Sequence, residues 1–243
     1  MFKRNWKKTL RSPEAVTMAI VVPIVMMVLF GIVIGGVAYV EGFSFISFVV
    51  PGIILQCICN SSIATSLLVH NDMTKGIIDR FRSMRIAKSA FIQGHVWLSV
   101  IRSVVITIAT IGAAFAIGFR PTAGVAEWLA AAGILMLFII AATWVFVAIG
   151  LVSRNAESIS GASALVLLFV FLSSAFTPTE NLPLVLRVFS QHQPLTPIID
   201  TLRGLLLGMP LGNELWIALA WCIGITILAF VGSVQIYKSK LTK

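Results

Sequence analysis

The sequence predicts an all-α, polytopic membrane protein with six transmembrane helices, and three observations lead to this prediction. Hydrophobic residues make up 58% of the 243 residues and charged residues only 11%, whereas soluble domains carry roughly 25% charged residues. Apolar stretches of about 20 residues, the length that crosses a bilayer, recur along the chain. The basic residues are concentrated in a few segments between these stretches. We therefore expect residues 1–243 to form a single transmembrane domain.

The residue pattern of positions 1–14 predicts an amphipathic helix that lies on the inner membrane surface. Phe2, Trp6 and Leu10 recur at intervals of four, and basic residues fill the opposite arc. The tryptophan favours the interface, which argues against the alternative of a solvated basic tail that only fixes orientation. We expect no cleaved signal peptide, because the apolar run that follows is longer than the apolar core of a signal.

The six spans are predicted from the ends of the apolar runs. They are residues 16–38, 45–69, 91–117, 128–152, 159–176 and 215–237. Fourteen of the 18 basic residues lie in 1–15, 70–90, 153–158 and 238–243, which an alternating topology puts on one side. The positive-inside rule names that side the cytoplasm, so both termini are predicted to be cytoplasmic. The net charge of +9 then reflects topology, and we expect no nucleic-acid partner.

The inner loop, residues 70–90, is long enough to be more than a turn. Five basic residues surround a set of apolar ones at helical spacing, which predicts a short helix that docks on a cytoplasmic partner. The alternative is a solvated loop that only anchors the topology. The predicted docking residues are Ile77, Ile78, Phe81, Arg82, Met84 and Arg85.

The outer connection, residues 177–214, contains five of the nine prolines. Its apolar runs are too short to cross a bilayer, and charged residues interrupt them. We predict a re-entrant or surface-lying helical hairpin on the outer side, because non-helical backbone at membrane depth must be shielded by protein. Its candidate residues are Pro178, Glu180, Pro183, Pro194 and Arg203.

Residues that carry catalytic chemistry are scarce within the spans. The exceptions are His95 and Arg102, which lie seven apart on one face of the third span. Both residues are candidates for a helix contact or for the lining of a substrate route. We predict that His95 is a hydrogen-bonded residue near the interface, and the alternative for it is a proton relay. Cys57, Cys59 and Cys222 fit no metal or disulfide pattern and are predicted to be small buried hydrophobes. We predict no catalytic residues and no metal site.

A phosphate-binding loop is absent from the sequence. No stretch matches G-x-x-x-x-G-K-[ST], and the chain contains no Gly-Lys dipeptide. If transport across this membrane domain is driven by ATP, the energy must come from another polypeptide through a cytoplasmic contact.

The order of these features resembles the type-2 ABC permease superfamily over nearly the whole chain. The more specific segments are FVVPGI at 48–53, RFRSMRI at 80–86, and Gly94 with Arg102. The strongest are SAFTPTENLP at 174–183, HQPLTP at 192–197 and LRGLLLG at 202–208, which look like the drug-export branch typified by daunorubicin-resistance permeases. Other branches more often have Asn-Pro where this chain has Gln193-Pro194, and a basic residue in place of His95.

This resemblance implies the permease subunit of an ATP-driven exporter of a hydrophobic or amphipathic substrate, such as a drug or lipid-like molecule. It implies a separate ATP-binding subunit that carries ATP and magnesium, no cofactor on this chain, and a second permease copy or paralogue. The inner loop and the N-terminal helix would contact the ATPase, and the lipid of the cell membrane would surround the spans. The alternatives are export of a glycan or peptide, a secondary transporter or channel, and a membrane-embedded enzyme. The last would need paired carboxylates or a histidine cluster, which we do not find in the spans.

Overall fold

A computed structural model describes residues 21, 24–29, 44–74, 90–177 and 183–242. This part of the chain is helical and contains no strand, in agreement with the predicted fold class. Residues 24–29 are helical, and seven further helices follow. These are α1 (Phe45–Thr74), α2 (Ala90–Ile117), α3 (Val125–Val152), α4 (Ala156–Phe171), α5 (Leu184–His192), α6 (Leu195–Leu207) and α7 (Glu214–Thr242).

Several predicted features lie outside the described residues. These are most of the first span, the N-terminal helix with Phe2, Trp6 and Leu10, and the docking residues Ile77, Ile78, Phe81, Arg82, Met84 and Arg85. Pro178 and Glu180 of the outer connection also lie outside them.

Four of the described helices are long and apolar enough to cross a membrane. They are α1, α2, α3 and α7. Each begins within a few residues of a predicted span. The fifth predicted span, 159–176, corresponds to α4, which has only 16 residues and is about 24 Å long. The helix ends at Phe171 because the hydroxyl of Ser173 donates to the carbonyl of Val170, 2.5 Å away, in a local turn that competes with the helix.

Helix α1 is the centre of the bundle and contacts α2, α3, α4 and α6. It is apolar on nearly every side, as expected of a helix surrounded by others, with Ile53, Ile54 and Leu55 fully buried. Gly52 permits close contact with the turn after α4, since a Cβ built on it would lie 2.5 Å from the Cβ of Ala175. Helix α1 is therefore the element on which α2, α3, α4 and α6 pack.

The backbones of α1 and α3 touch directly. A Cβ built on Gly150 would lie 2.5 Å from the carbonyl oxygen of Ser66, and the hydroxyl of Ser66 donates to the carbonyl of Phe146 over 2.5 Å. Small residues that allow such close approach are typical of helix contacts in membranes. Helix α7 packs along α3, where the rings of Trp144 and Phe230 meet edge to face at 4.8 Å.

Helices α5 and α6 form two short helical segments between α4 and α7, in the region predicted as a hairpin. Pro183 and Pro194 are the N-caps of α5 and α6, and Gly208, with φ of 70°, ends α6 in the left-handed conformation. Helix α6 is buried against α1, α3 and α7, while α5 exposes Leu184 and Val185. We call this end of the bundle the hairpin end, and the end where α1 finishes and α2 begins the loop end.

Candidate functional site

Arg102 of α2 forms hydrogen bonds with α1 in the middle of the bundle. Its Nη2 donates to the carbonyl oxygen of Ser61 at 2.5 Å and to the hydroxyl of Thr65 at 2.7 Å, and its Nε donates to the hydroxyl of Ser61 at 3.2 Å. No carboxylate in the described part of the chain lies within ion-pair distance of this guanidinium. An arginine at the bilayer centre costs about 2.5–3.5 kcal/mol on insertion scales, and these acceptors offset part of that cost.

A seam of hydroxyl groups continues from Arg102 through three helices. The hydroxyl of Thr65 in α1 donates to that of Ser99 in α2 at 2.9 Å, and Ser99 lies 3.2 Å from the hydroxyl of Thr143 in α3. Ser103 of α2 donates to the hydroxyl of Ser61 at 3.0 Å. Interhelical hydrogen bonds of this kind contribute about 0.6 kcal/mol each in membranes. Together they hold α1, α2 and α3 in one register.

His95 of α2 contacts Asp72 of α1 at the loop end. The imidazole Nε2 lies 3.2 Å from a carboxylate oxygen, and the two side chains are 1% and 15% exposed. Asp72 lies two residues before the end of α1, and His95 lies in the second turn of α2. The contact therefore joins the two helix ends between which residues 75–89 run.

Arg203 of α6 lies at the centre of a second polar cluster, at the hairpin end. Its Nε donates to the carbonyl of Phe48 at 3.0 Å, its Nη1 to Asp200 at 2.9 Å, and its Nη2 to the carbonyls of Ser174 and Ala175. The hydroxyl of Ser174 also donates to Asp200, at 2.8 Å. The cluster ties α6 to the start of α1 and to the turn after α4.

Burial shifts the pKa of both charged groups in this cluster. It lowers the pKa of the Arg203 guanidinium to about 10, although the nearby carboxylate opposes the shift. It raises the pKa of the Asp200 carboxyl above its ordinary value, against the opposing effects of Arg203 and Ser174. Each charge depends on its partner in this buried position, as buried ion pairs do.

The structure places the predicted site residues in separate contacts. His95 and Arg102 both face α1, but they meet different residues of it, Asp72 and the Ser61–Thr65 turn. Pro183, Pro194 and Arg203 lie in the hairpin segments. The three cysteines are free and buried, as predicted. Within the described ranges no cluster of three metal-ligating side chains occurs.

One feature of α1 was missed by the sequence reasoning. Gln56, Asn60 and Asn71 lie within an arc of about 60° on the helix, at 3.6 residues per turn. Asn60 is exposed although it lies in the middle of α1, the most buried of the four helices long and apolar enough to cross a membrane. The signal that could have revealed this face is the spacing of the amide side chains at four and eleven residues, with Gln56 and Asn60 in the second predicted span and Asn71 two residues beyond it.

Comparison with known proteins gives a consistent result. A family model described as ABC-2 type transporter matches residues 1–207. A daunorubicin resistance ABC transporter permease protein from Streptomyces coeruleorubidus is 25% identical over 219 residues, which cover 90% of this chain and 75% of the relative. A probable doxorubicin resistance ABC transporter permease protein from Mycobacterium tuberculosis H37Rv is 25% identical over 214 residues, 88% of this chain and 78% of the relative.

Proposed function

The chain belongs to the ABC-2 type transporter family, and from that premise we propose that it exports a hydrophobic or amphipathic molecule, such as a drug, across the cell membrane. The family match over 207 residues carries the proposal, because it coincides with helices long and apolar enough to span a bilayer. The names of two relatives, which refer to daunorubicin and doxorubicin resistance, support a drug-like substrate over a glycan or peptide.

ATP and magnesium are bound by a separate subunit in this proposal. The sequence contains no phosphate-binding loop, and ABC-2 permeases work with an ATP-binding partner. That partner docks on the inner loop at Ile77, Ile78, Phe81, Arg82, Met84 and Arg85, next to the N-terminal helix with Phe2, Trp6 and Leu10. The contact between His95 and Asp72 joins the helix ends at this loop, so it is well placed to transmit a movement of the loop to α1 and α2.

The proposed topology has six spans, with both termini in the cytoplasm. Residues 16–38 supply the first span, α4 with the turn after it the fifth, and α5 with α6 a re-entrant or surface-lying hairpin on the outer side. The distribution of basic residues supports this orientation. The Arg203 cluster would then hold the hairpin over the outer end of α1, so that the hairpin covers the route from outside.

A second copy of the permease, or a paralogue, completes the route. One chain of 243 residues is expected to enclose little space between its helices, and pairing about a two-fold axis is the commonest symmetry of homo-oligomers. The lipid of the membrane contacts the apolar outer faces of α2 and α7, where Ile108 and Leu228 are exposed.

Reconstitution in vesicles tests this function. The full chain is purified together with the ATP-binding subunit that co-purifies with it in mild detergent, and uptake of daunorubicin into inside-out vesicles is measured with ATP and with a non-hydrolysable analogue. Uptake that requires hydrolysis, together with no hydrolysis by the chain alone, is expected. Uptake driven by a proton gradient without ATP would instead identify a secondary transporter, and tightly bound nucleotide on the isolated chain would contradict a separate ATPase.

A further inference from the structure

The amide face of α1, formed by Gln56, Asn60 and Asn71, is unlike the other surfaces of the bundle. Gln56 is 6% exposed and lies one turn from Asn60 on the side of the hairpin end, whereas Asn60 and Asn71 are exposed. Between Phe45 and His70, Asn60 is the one exposed residue. The one exposed position in this stretch is therefore polar, and the other residues are buried or partly buried.

Asn60 lies near the middle of the membrane. Helix α1 has 30 residues and is about 45 Å long, so Asn60 is about 22 Å from each end. One end carries the contact of Phe48 with Arg203, and the other carries the contact of Asp72 with His95. A hydrocarbon layer of about 30 Å centred on this helix places Asn60 close to its midplane.

Within the described part of the chain, Asn60 lies away from the contacts of α1 with α2 and α3, and Gln56 is the buried member of the amide face. Ser61 and Thr65 face α2, and Ser66 faces α3, while Asn60 projects at least about 100° away from each of them at 100° per residue. The exposed positions of α7 near the same depth are apolar, with Ile227 and Leu228 as examples. Asn60 differs in this respect from the exposed side of α7.

An exposed amide at the membrane centre is unfavourable in lipid, because hydrocarbon offers neither a donor nor an acceptor. Polar residues at such depth face the bundle interior or a water-filled cavity. The amide carries no charge and both donates and accepts hydrogen bonds. Ile63 and Leu67 lie on the same arc, so the face combines amide groups with apolar surface.

We propose that the amide face of α1 lines a hydrated export route, and that Asn60 forms hydrogen bonds with hydroxyl and carbonyl groups of an amphipathic substrate in transit. The inference rests on the proposed function and adds to it a substrate class and a contact residue. The class is a molecule with an apolar body, which packs on Ile63 and Leu67, and with uncharged hydrogen-bonding groups that meet the amide. A substrate held by neutral groups is released again more readily than one held by a buried ion pair.

Thiol accessibility in the full complex tests the hydrated route. Cys57, Cys59 and Cys222 are replaced by alanine, and single cysteines are introduced as Asn60→Cys and, as the matched control, Leu228→Cys. Leu228 is 76% exposed and lies at the centre of α7, so it matches the depth of Asn60. A charged methanethiosulfonate reagent is expected to react at least tenfold faster with the Asn60→Cys variant, because the reaction needs water. Equal, slow reaction at both positions would overturn the proposal.

The substrate contact is tested by daunorubicin uptake in vesicles. Asn60→Leu is expected to reduce uptake at least threefold, Asn60→Gln to keep it within twofold of the wild type, and Leu228→Ala to leave it unchanged. Wild-type rates in the Asn60→Leu variant would overturn the contact role. If the wild-type complex transports no daunorubicin, the proposed substrate is wrong, while the reaction of the Asn60→Cys variant still decides whether the route passes α1.

Discussion

Arg203 and Phe48 meet in two ways at the hairpin end. The Nε of Arg203 donates to the carbonyl of Phe48 at 3.0 Å, and the guanidinium carbon lies 3.5 Å from the centre of the Phe48 ring. The carbonyl belongs to the first turn of α1. A cation over an aromatic face gains further stabilisation when it is removed from water, as Arg203 is here with 3% exposure.

Replacement of Arg203 by alanine is expected to destabilise the protein by about 3 kcal/mol. The change leaves the Asp200 carboxylate and the carbonyl of Ser174 in a buried position without their donor. Thermal unfolding in detergent measures the loss. Arg120→Ala is the matched control, because Arg120 is exposed and bonds only to nearby backbone carbonyls. An unchanged melting temperature in Arg203→Ala would mean that the cluster does not hold the hairpin.

The hydrogen bonds of Arg102 predict that removing the cation destabilises the protein less than removing its side-chain acceptors does. Arg102→Met should change the free energy of unfolding by only about 1 kcal/mol, because Ser61 and Thr65 keep Ser103 and Ser99 as partners. The double change Ser61→Ala with Thr65→Val should cost more, about 2–4 kcal/mol, since it leaves a buried cation without side-chain acceptors. Unfolding in urea with detergent measures both. A larger loss for Arg102→Met than for the double change would contradict this reasoning.

The contact between His95 and Asp72 is expected to contribute to the coupling of ATP hydrolysis to transport. Asp72→Asn and His95→Gln should each reduce ATP-driven transport severalfold, and the loss in the double variant should be smaller than the sum of the two single losses, because both changes remove the same contact. Transport per ATP hydrolysed is the measurement. Glu157→Gln, at an exposed position in α4, is the control. Strictly additive losses would show that the two residues act independently.

Phe81→Asp is expected to reduce assembly with the ATPase sharply, while insertion into the membrane is retained. The change puts a carboxylate into the predicted apolar face of the inner loop, and a buried unpaired charge costs more than a small interface can absorb. Co-purification in mild detergent measures assembly. Arg120→Asp on the opposite side is the control. If Phe81→Asp assembled normally and Arg120→Asp lost the ATPase, the ATPase would dock on the side of Arg120, and the predicted docking surface would be wrong.

The predicted orientation can be checked with an impermeant thiol reagent on intact cells. Cysteines placed at Lys75 and Lys240 should resist the reagent, whereas one at Thr122 should be labelled, since Thr122 is exposed in the segment between α2 and α3. The natural cysteines are buried and should give little background. Labelling of the Lys240→Cys variant from outside would contradict the six-span topology.

The sequence was most informative where hydropathy alone decides the structure. Helix α1 begins at Phe45 and α2 ends at Ile117, as the apolar runs predicted. It was less informative where distant parts of the chain meet. Arg203 was predicted to interrupt an apolar run, but its acceptor on Phe48 lies 155 residues away, and no local pattern contains that pairing.

The same limit explains the errors within single elements. The end of α4 was predicted too late because the apolar run continues to Phe176, while the turn depends on hydrogen bonds of Ser173 and Ser174 that hydropathy ignores. The amide face was missed because Gln56 and Asn60 stand among apolar residues, and only the packing of α1 shows which of them is exposed.

The contact of Gly150 with Ser66 restricts how this protein can change shape. No side chain separates the two backbones, so neither helix can rotate against the other without a clash or an empty space, and packed interiors tolerate neither. We therefore expect α1 and α3 to move together at this contact during a transport cycle. A hinge that opens and closes the protein should then lie elsewhere, and a disulfide introduced between these two helices near the contact should leave turnover intact.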